Sequence, residues 1–510
     1  MDPASAPPLS GLPDEISSLA RERFGVGYLY PIQRFVVSNV LEGNHQIVVL
    51  PTGSGKSLCF LLPSLLLPGP TLVVVPLLSL LADQERKLRE RGIPVGVLRG
   101  GLGSEERQRL WQDLRTGRTR ILLATLEACL APPNRAALAG CGIQHLVLDE
   151  AHCISEWGDS FRPAYLQAGA LVTDLAPRTV SAFTATASVP VIERIRACLF
   201  PQGGARVVGE SADRPGIHYA VQRILCRGRA LGRLVETAEH PLLVFCRTRG
   251  EAELASRAAR RRAGSRTAFF YHAGLSREER SDVEAWFLGS RDGTLFATCA
   301  YGMGVDKPDI RTVVHASVPG SVEAYLQESG RAGRDGQRSR AILLLDQTAE
   351  AVHLSRLSDD TSRTRFQRMI GYGLETSRCR RAGLLSLIGQ DPVACSGCDV
   401  CDGTVGMDAE GEEAILGFAR RHRRRFTVVE AARILCGSTG PRRERELYDC
   451  VRGFGALAGW TPAEAESAIR ALATQGRILT ARRGPGKGRL TTPRRLHANP
   501  FRATLPVTPV

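Results

Sequence analysis

Three stretches carry residue types whose spacing suits chemistry on phosphate. The first is PTGSGKS, Pro51 to Ser57, which follows the apolar run QIVVL and precedes a stretch of helical length. Gly53 and Gly55 let backbone N–H groups turn toward an anion, Lys56 reaches terminal phosphates, and Ser57 offers a hydroxyl to magnesium. Thr52 and Ser54 complete the loop, and Leu50 stands where the longer phosphate-loop pattern has glycine, so the match is to a shorter variant. The second stretch is LVLDEAHCISEWGDSFRPAY, Leu146 to Tyr165. Asp149, at the end of an apolar run, suits a magnesium ion held through water, and Glu150 suits the polarising of an attacking water. The third is QESGRAGRDG, Gln327 to Gly336, in which Arg331 and Arg334 stand three apart, on one face if helical. They supply cations where charge develops during phosphoryl transfer. A functionless Gly/Ser turn and a pair of solvated carboxylates are the bland readings of the first two stretches.

The second stretch also bears Trp157, Phe161, Arg162 and Tyr165, a set suited to flat, negatively charged ligands; the alternative is that its aromatics are core. Four cysteines, Cys379, Cys395, Cys398 and Cys401, are spaced C-x15-C-x2-C-x2-C. Overlapping C-x2-C pairs with a distant fourth thiolate suit a closed, structural zinc site, with disulfides and an iron–sulfur cluster as competing readings. The other cysteines are mostly scattered singly among apolar residues, as expected of free thiols in a reducing, cytoplasmic setting.

These residues need elements to hold them. From about residue 45 to 345, apolar runs (QIVVL, TLVVV, ILLA, HLVLD, then LLVFC, TAFFYH, TLFAT, TVVHA, AILLL) alternate with amphipathic stretches. Strands separated by helix-length segments predict parallel sheets covered on both faces, and this length predicts two α/β lobes. The stretch PQGGARVVGESADRPG reads as the joint between them. A chain of 510 residues exceeds one core, and ~150 residues per domain predicts three or four domains. The net charge of +15 points to a polyanionic partner, nucleic acid or an anionic surface, with solvated surface as the alternative. Positive charge is written as arginine: of 67 lysines and arginines only Lys56, Lys87, Lys307 and Lys487 are lysine, which leaves 63 arginines. The opening MDPASAPPLSGLPDE has neither the basic start nor the apolar run of a secretory signal. Leu58 to Ala82 is free of charge for 25 residues, yet Pro63, Pro68, Gly69, Pro70 and Pro76 interrupt it. It reads as a buried helix, a turn and a buried strand rather than a membrane span.

The ordered series PTGSGKS, VVVPLLSLLADQ, DEAHCISEWGDSFRPAY, TAT, YHAGL, ATCAYGMGVDKPDIR and QESGRAGRDG resembles the motif set of RecQ-family DNA helicases over roughly residues 20 to 405. The resemblance implies two RecA-like, doubly wound parallel-sheet lobes with ATP between them and unwinding of DNA with three-prime-to-five-prime polarity. It makes Lys56 and Ser57 the phosphate and magnesium ligands and Arg334, with Arg331, arginine fingers. It places Gln33 of YPIQR as an adenine reader and Gln327 in the nucleotide-binding set. Val26 and Tyr30 stand where relatives usually have an aromatic and an arginine, which implies either weaker adenine specificity or stacking by Tyr28 or Tyr30 instead. The resemblance makes Trp157, Phe161, Arg162 and Tyr165 an aromatic loop on which single-stranded DNA stacks, at ~1–3 kcal/mol per base. His152 becomes a relay between that loop and hydrolysis, and Thr184 and Thr186 of the TAT motif belong to the same coupling. The cysteine contexts resemble the family's zinc subdomain.

The resulting organisation is a first lobe at 1–210, a second at 211–348, a zinc-binding subdomain at 349–405, a winged-helix-like domain at 406–495 and a tail at 496–510. RRHRRRFTVVEAARILCGSTG and LTARRGPGKGRLTT supply the arginine-rich runs of the winged helix and its wing, with solvated basic surface as the alternative. No wedge aromatic and no further helical nucleic-acid domain is recognisable after them. The expected function is ATP-dependent unwinding of tailed or forked DNA in recombination and repair, with ATP, magnesium and zinc as cofactors. The partners expected are single-stranded DNA, and single-strand-binding or repair proteins, with no membrane. The rival is a nucleic-acid-stimulated ATPase that translocates and remodels complexes without strand separation.

Overall fold

The computed structural model describes residues 12–51, 53–156, 163–263, 267–302, 307–406, 409–438, 448–481 and 487–493. The chain divides into two units, Met1–Asp213 with Ile388–Gln390, and Arg214–Leu387 with Asp391–Val510.

The first unit is built on seven parallel strands: β1 Gln46–Val49, β2 Thr71–Val74, β3 Val95–Leu98, β4 Ile121–Ala124, β5 His145–Leu148, β6 Thr179–Thr184 and β7 Arg206–Gly209. They lie in the order β3-β4-β2-β5-β6-β1-β7. Alternate residues of each strand enter two separate cores. Ile47, Val49, Leu72, Val74, Leu146 and Leu148 pack on one face, and Val48, Val73, Leu123, Val147 and Phe183 on the other. Side chains alternate faces along a strand, so both faces of this sheet are covered, as in a doubly wound fold. The uncharged stretch from Leu58 resolves into the helix Lys56–Ser64, β2 and the helix Leu78–Glu90. Among the described residues no helix is long and apolar enough to cross a membrane.

The segment expected to be a plain joint contains β7, which pairs in parallel with β1 and closes one edge of the sheet. Its single buried side chain, Val208, explains why an apolar run did not announce it.

The second unit carries six parallel strands, β8 Ile217–Arg223, β9 Leu242–Phe245, β10 Ala268–Tyr271, β11 Thr294–Ala297, β12 Thr312–His315 and β13 Ser339–Leu345. Their order is β10-β11-β9-β12-β13-β8, which leaves β8 at an edge. The cysteine-bearing segment covers that edge: Tyr219 N–H donates to the Gly397 carbonyl at 3.4 Å, Asp399 N–H to the Tyr219 carbonyl at 3.0 Å, and Val221 N–H to an Asp399 carboxylate oxygen at 2.9 Å. An uncovered edge would present unpaired backbone groups to any extended chain. C-terminal to it come the helices Glu412–Arg421, Val428–Cys436 and Pro462–Thr474 and a two-stranded antiparallel ribbon, β14 Leu479–Thr480 with β15 Leu490–Thr491. Their core includes Phe418, Ile434, Leu435, Trp460, Ile469 and Ile478, joined by Leu225 from just after β8.

Candidate nucleotide site and zinc cluster

In the first sheet β2, β5, β6 and β1 are neighbours, so the segments that leave their C-terminal ends converge. The phosphate loop follows β1, the DE pair follows β5, the TAT motif leaves β6, and Gln84 lies on the helix after β2. Gly53 and Gly55 adopt φ of 86° and 78°, left-handed values open to glycine, and the helix Lys56–Ser64 starts from them. Gln33 is buried and braces this loop: its Nε2 donates to the Ser54 carbonyl at 2.7 Å, and its Oε1 accepts from Tyr30 N–H at 3.0 Å. A Cβ at position 55 would lie 2.6 Å from Gln33 Nε2, so a side chain there would push the Gln33 amide off the loop, besides being strained at this φ. Tyr28 and Tyr30, exposed at 66% and 60%, meet edge to face beside this segment.

Lys56 Nζ is buried, has no hydrogen-bond partner among the described residues, and stands 4.0 Å from Glu150 Oε1. A buried ammonium above a loop of upturned amides fits a polyphosphate. Asp149 is buried, accepting from Gln84 Nε2 at 3.2 Å and from Glu150 N–H at 3.0 Å. Burial first, and the Glu150 charge second, push its carboxyl up to about 6, opposed by Lys56 and the two hydrogen bonds. Excess negative charge of this kind, with Ser57 exposed alongside, fits a divalent cation. Glu150 holds a φ of 52°, a strained value for a residue with a side chain.

Glu150 leads into a chain of polar contacts. His152 Nδ1 is 3.4 Å from Glu150 Oε2 and 3.1 Å from Thr184 Oγ1, and the Thr184 hydroxyl donates to the Thr186 carbonyl at 2.9 Å. Because that hydroxyl hydrogen is committed to Thr186, Thr184 Oγ1 accepts from His152, which assigns the ring proton to Nδ1. The carboxylate, His152, Thr184 and Thr186 are thus brought together.

Trp157, Phe161 and Arg162 lie outside the described residues, as does Thr52. Tyr165 is a correction: it is 2% exposed and packs in the core with Ile154, Ala168 and Leu171, which removes it from a stacking surface. In the second unit, Gln327 is half-buried on the helix Val322–Ser329. The arginine pair does not share a helical face, because that helix ends before it and residues 330–335 form turns. Arg331 is buried with its guanidinium 5.9 Å from the Tyr301 ring centroid, and Arg334 is half-buried. Lys307 is structural: its ammonium donates to the Leu288 and Ser290 carbonyls at 3.2 and 2.8 Å, at the end of the helix Arg277–Gly289. Gln84, at the end of VVVPLLSLLADQ, is the site residue missed; flanked by Asp83 and Glu85, it carries no signal that sets it apart from a solvated helix face.

The ligand atoms of Cys379, Cys395, Cys398 and Cys401 all lie within 4.8 Å of one another, with Cys379 and Cys398 sulfurs 3.9 Å apart. Zinc–sulfur bonds of ~2.3 Å put tetrahedral sulfurs about 3.8 Å apart, so the four thiols fit zinc. All fourteen cysteines are free, which disposes of the disulfide reading. Beside the cluster the buried Arg380 donates to Asp399 Oδ1 at 2.9 Å and to the Tyr372 carbonyl at 2.9 Å.

A phosphate loop and DE pair at adjoining strand ends of one parallel sheet, with a second parallel sheet following, define a helicase-type nucleotide hydrolase. Residues 30–195 match the DEAD/DEAH box helicase model, residues 226–336 the helicase conserved C-terminal domain, and residues 340–402 the RecQ zinc-binding model. The ATP-dependent DNA helicase RecQ of Pasteurella multocida is 31% identical over 88% of this chain and 72% of its own length. The chain belongs to the RecQ family. A probable ATP-dependent DNA helicase, RecS of Bacillus subtilis, is 39% identical over 61% of this chain, which spans 63% of that relative's length. In fold the chain is similar to the helicase Lhr of Mycobacterium smegmatis, solved with single-stranded DNA and AMP-PNP, at a TM-score of 0.56 and 21% identity, over 96% of this chain and 61% of that one.

Proposed function

We propose that this chain is an ATP-dependent DNA helicase that travels along single strands with three-prime-to-five-prime polarity and unwinds tailed or forked duplexes in recombination and repair. The observation that carries the reading is the convergence of Lys56, Glu150, Asp149 and Gln84 at adjoining strand ends, in a chain of the RecQ family that also holds a four-thiolate cluster.

In this reading Lys56 and the loop amides of Gly53 to Ser57 bind the β- and γ-phosphates of ATP, and Ser57 and Asp149 hold magnesium. Magnesium would supply neutralisation of charge on the transferred phosphoryl oxygens. Glu150 orients the attacking water and takes its proton, and Arg331 and Arg334 stabilise the developing charge. His152, bonded to Thr184, relays the state of Glu150 toward Trp157, Phe161 and Arg162, which stack and pair with single-stranded DNA. The three C-terminal helices and their ribbon act as a winged-helix-like module, with exposed Arg420, Arg421 and Arg423 to Arg425 on duplex phosphates.

The test is strand separation of three-prime-tailed and five-prime-tailed duplexes measured alongside ATP hydrolysis, for the chain and its Glu150→Gln variant. Only the three-prime-tailed duplex should open, and the variant should lose hydrolysis by about 100-fold or more. DNA-stimulated hydrolysis without separation would move the function to a remodelling translocase.

A further inference from the structure

Within the second unit a line of arginines runs from the zinc cluster to the turn that carries Arg331 and Arg334. Arg381, two residues after Cys379, is 1% exposed. Its guanidinium donates to the Arg214 carbonyl at 3.0 Å and the Ile217 carbonyl at 2.7 Å, and lies 5.3 Å from the Tyr219 ring centroid. Arg214 then donates from Nη1 to the Gly330 carbonyl at 2.9 Å and from Nη2 to the Ala332 carbonyl at 3.3 Å. Those two carbonyls flank Arg331.

The turn keeps local bonds, Arg331 N–H to the Glu328 carbonyl at 3.3 Å and Ala332 N–H to the Ser329 carbonyl at 3.0 Å, and is also tied from outside, where Gly333 N–H donates to the Ile310 carbonyl at 2.9 Å. The helix Val322–Ser329 has ended, and Gly333 takes a φ of 57° at a point where a Cβ would lie 2.6 Å from the Gln337 carbonyl oxygen. A planar guanidinium that spans the carbonyls before and after Arg331 fixes both peptide planes, and so the direction in which Arg331 and Arg334 leave the backbone. A lysine ammonium at position 214 is a point charge and cannot reproduce that fork.

We propose that Arg214 is a positioning residue for ATP hydrolysis, aligning the turn of Arg331 and Arg334 and itself held from the zinc cluster side by Arg381. The inference rests on the proposed role of those two arginines. Cations that act on the transition state must be placed to within a fraction of an ångström, so a loosened turn lowers kcat and leaves ground-state ATP binding intact.

The experiment uses the full chain with saturating oligothymidylate and compares native protein, Arg214→Ala, Arg214→Lys, Arg334→Ala and the double variant Arg214→Ala/Arg334→Ala. ATP kcat and KM, zinc content and thermal midpoint are read for each. Both Arg214 variants should lose about tenfold or more in kcat with KM within about twofold, and zinc should be retained. The double variant should fall no further than Arg334→Ala alone. If Arg214→Ala does not fold, Arg214→Lys, which keeps the half-buried cation, carries the test. Reduced kcat in Arg334→Ala with native kcat in Arg214→Lys overturns the inference alone, as do additive losses in the double variant or a shared loss of zinc and KM. Native kcat in Arg334→Ala overturns the arginine assignment, and this inference with it.

Discussion

Gln84 donates to Asp149 at 3.2 Å, and that bond opposes the burial that pushes the Asp149 carboxyl up to about 6. Removing it leaves the carboxylate with one donor fewer and a still higher pKa. Outer-shell partners of metal ligands are typically worth about 10–100-fold. Gln84→Ala should therefore raise the magnesium concentration for half-maximal ATP hydrolysis about tenfold, and shift the acid limb of that dependence to higher pH, since activity is lost as the carboxylate protonates. An unchanged magnesium titration would remove Gln84 from the site. Lys56, Asp149 and Glu150 were legible because their chemistry demands particular residue types beside a strand. Gln84 was not, because it stands between Asp83 and Glu85 in a polar run, and only the neighbouring strand shows what its amide faces. Tyr165 shows the opposite failure: exposed-looking company in sequence says nothing about a core that Leu171 and Ile195 complete from elsewhere.

At the scale of elements, the legible strands are those written in unbroken apolar residues. β6 contains serine and threonine, tolerated in a buried strand because neighbours satisfy them, and β8 contains a half-buried His218 and an exposed Gln222. Ser181 Oγ meets His145 Nε2 at 2.9 Å and Gln46 Nε2 at 3.3 Å, bonds that no single stretch reveals. His145 is fully buried, and burial pushes it down to about 3. Its pKa in the folded chain is below its unfolded value, so its neutral form stabilises the fold fully above pH 6.5, and that contribution is lost as the unfolded state takes up the proton below it. The loss amounts to about 2 kcal/mol by pH 5. Thermal melting of native chain and His145→Asn between pH 7.5 and 5 should show the gap between the two curves closing as pH falls. A constant gap would mean that His145 titrates normally in the fold.

For the whole molecule, a net charge of +15 carried almost entirely by arginine is expected to meet phosphate. Duplex binding should fall with a log–log salt slope of about −0.9 per phosphate neutralised, read by fluorescence anisotropy between low and moderate salt. A slope near zero would assign the excess charge to solvated surface. The two α/β lobes were readable from alternation of apolar and amphipathic stretches, because each parallel strand needs a crossover helix. The covering of β8 by the cysteine-bearing segment was not, because it joins positions more than 170 residues apart through Asp399 and Val221. The scarcity of lysine gives the molecule an unusual chemical transparency. Lys307 is sealed by two carbonyls and Asp309, while Lys87 and Lys487 are on the outside. Acylation of side-chain amines followed by mass spectrometry therefore reads two shielded positions, Lys56 in the first unit and Lys307 in the second, against two that label freely, so that each unit carries its own amine whose labelling reports its opening.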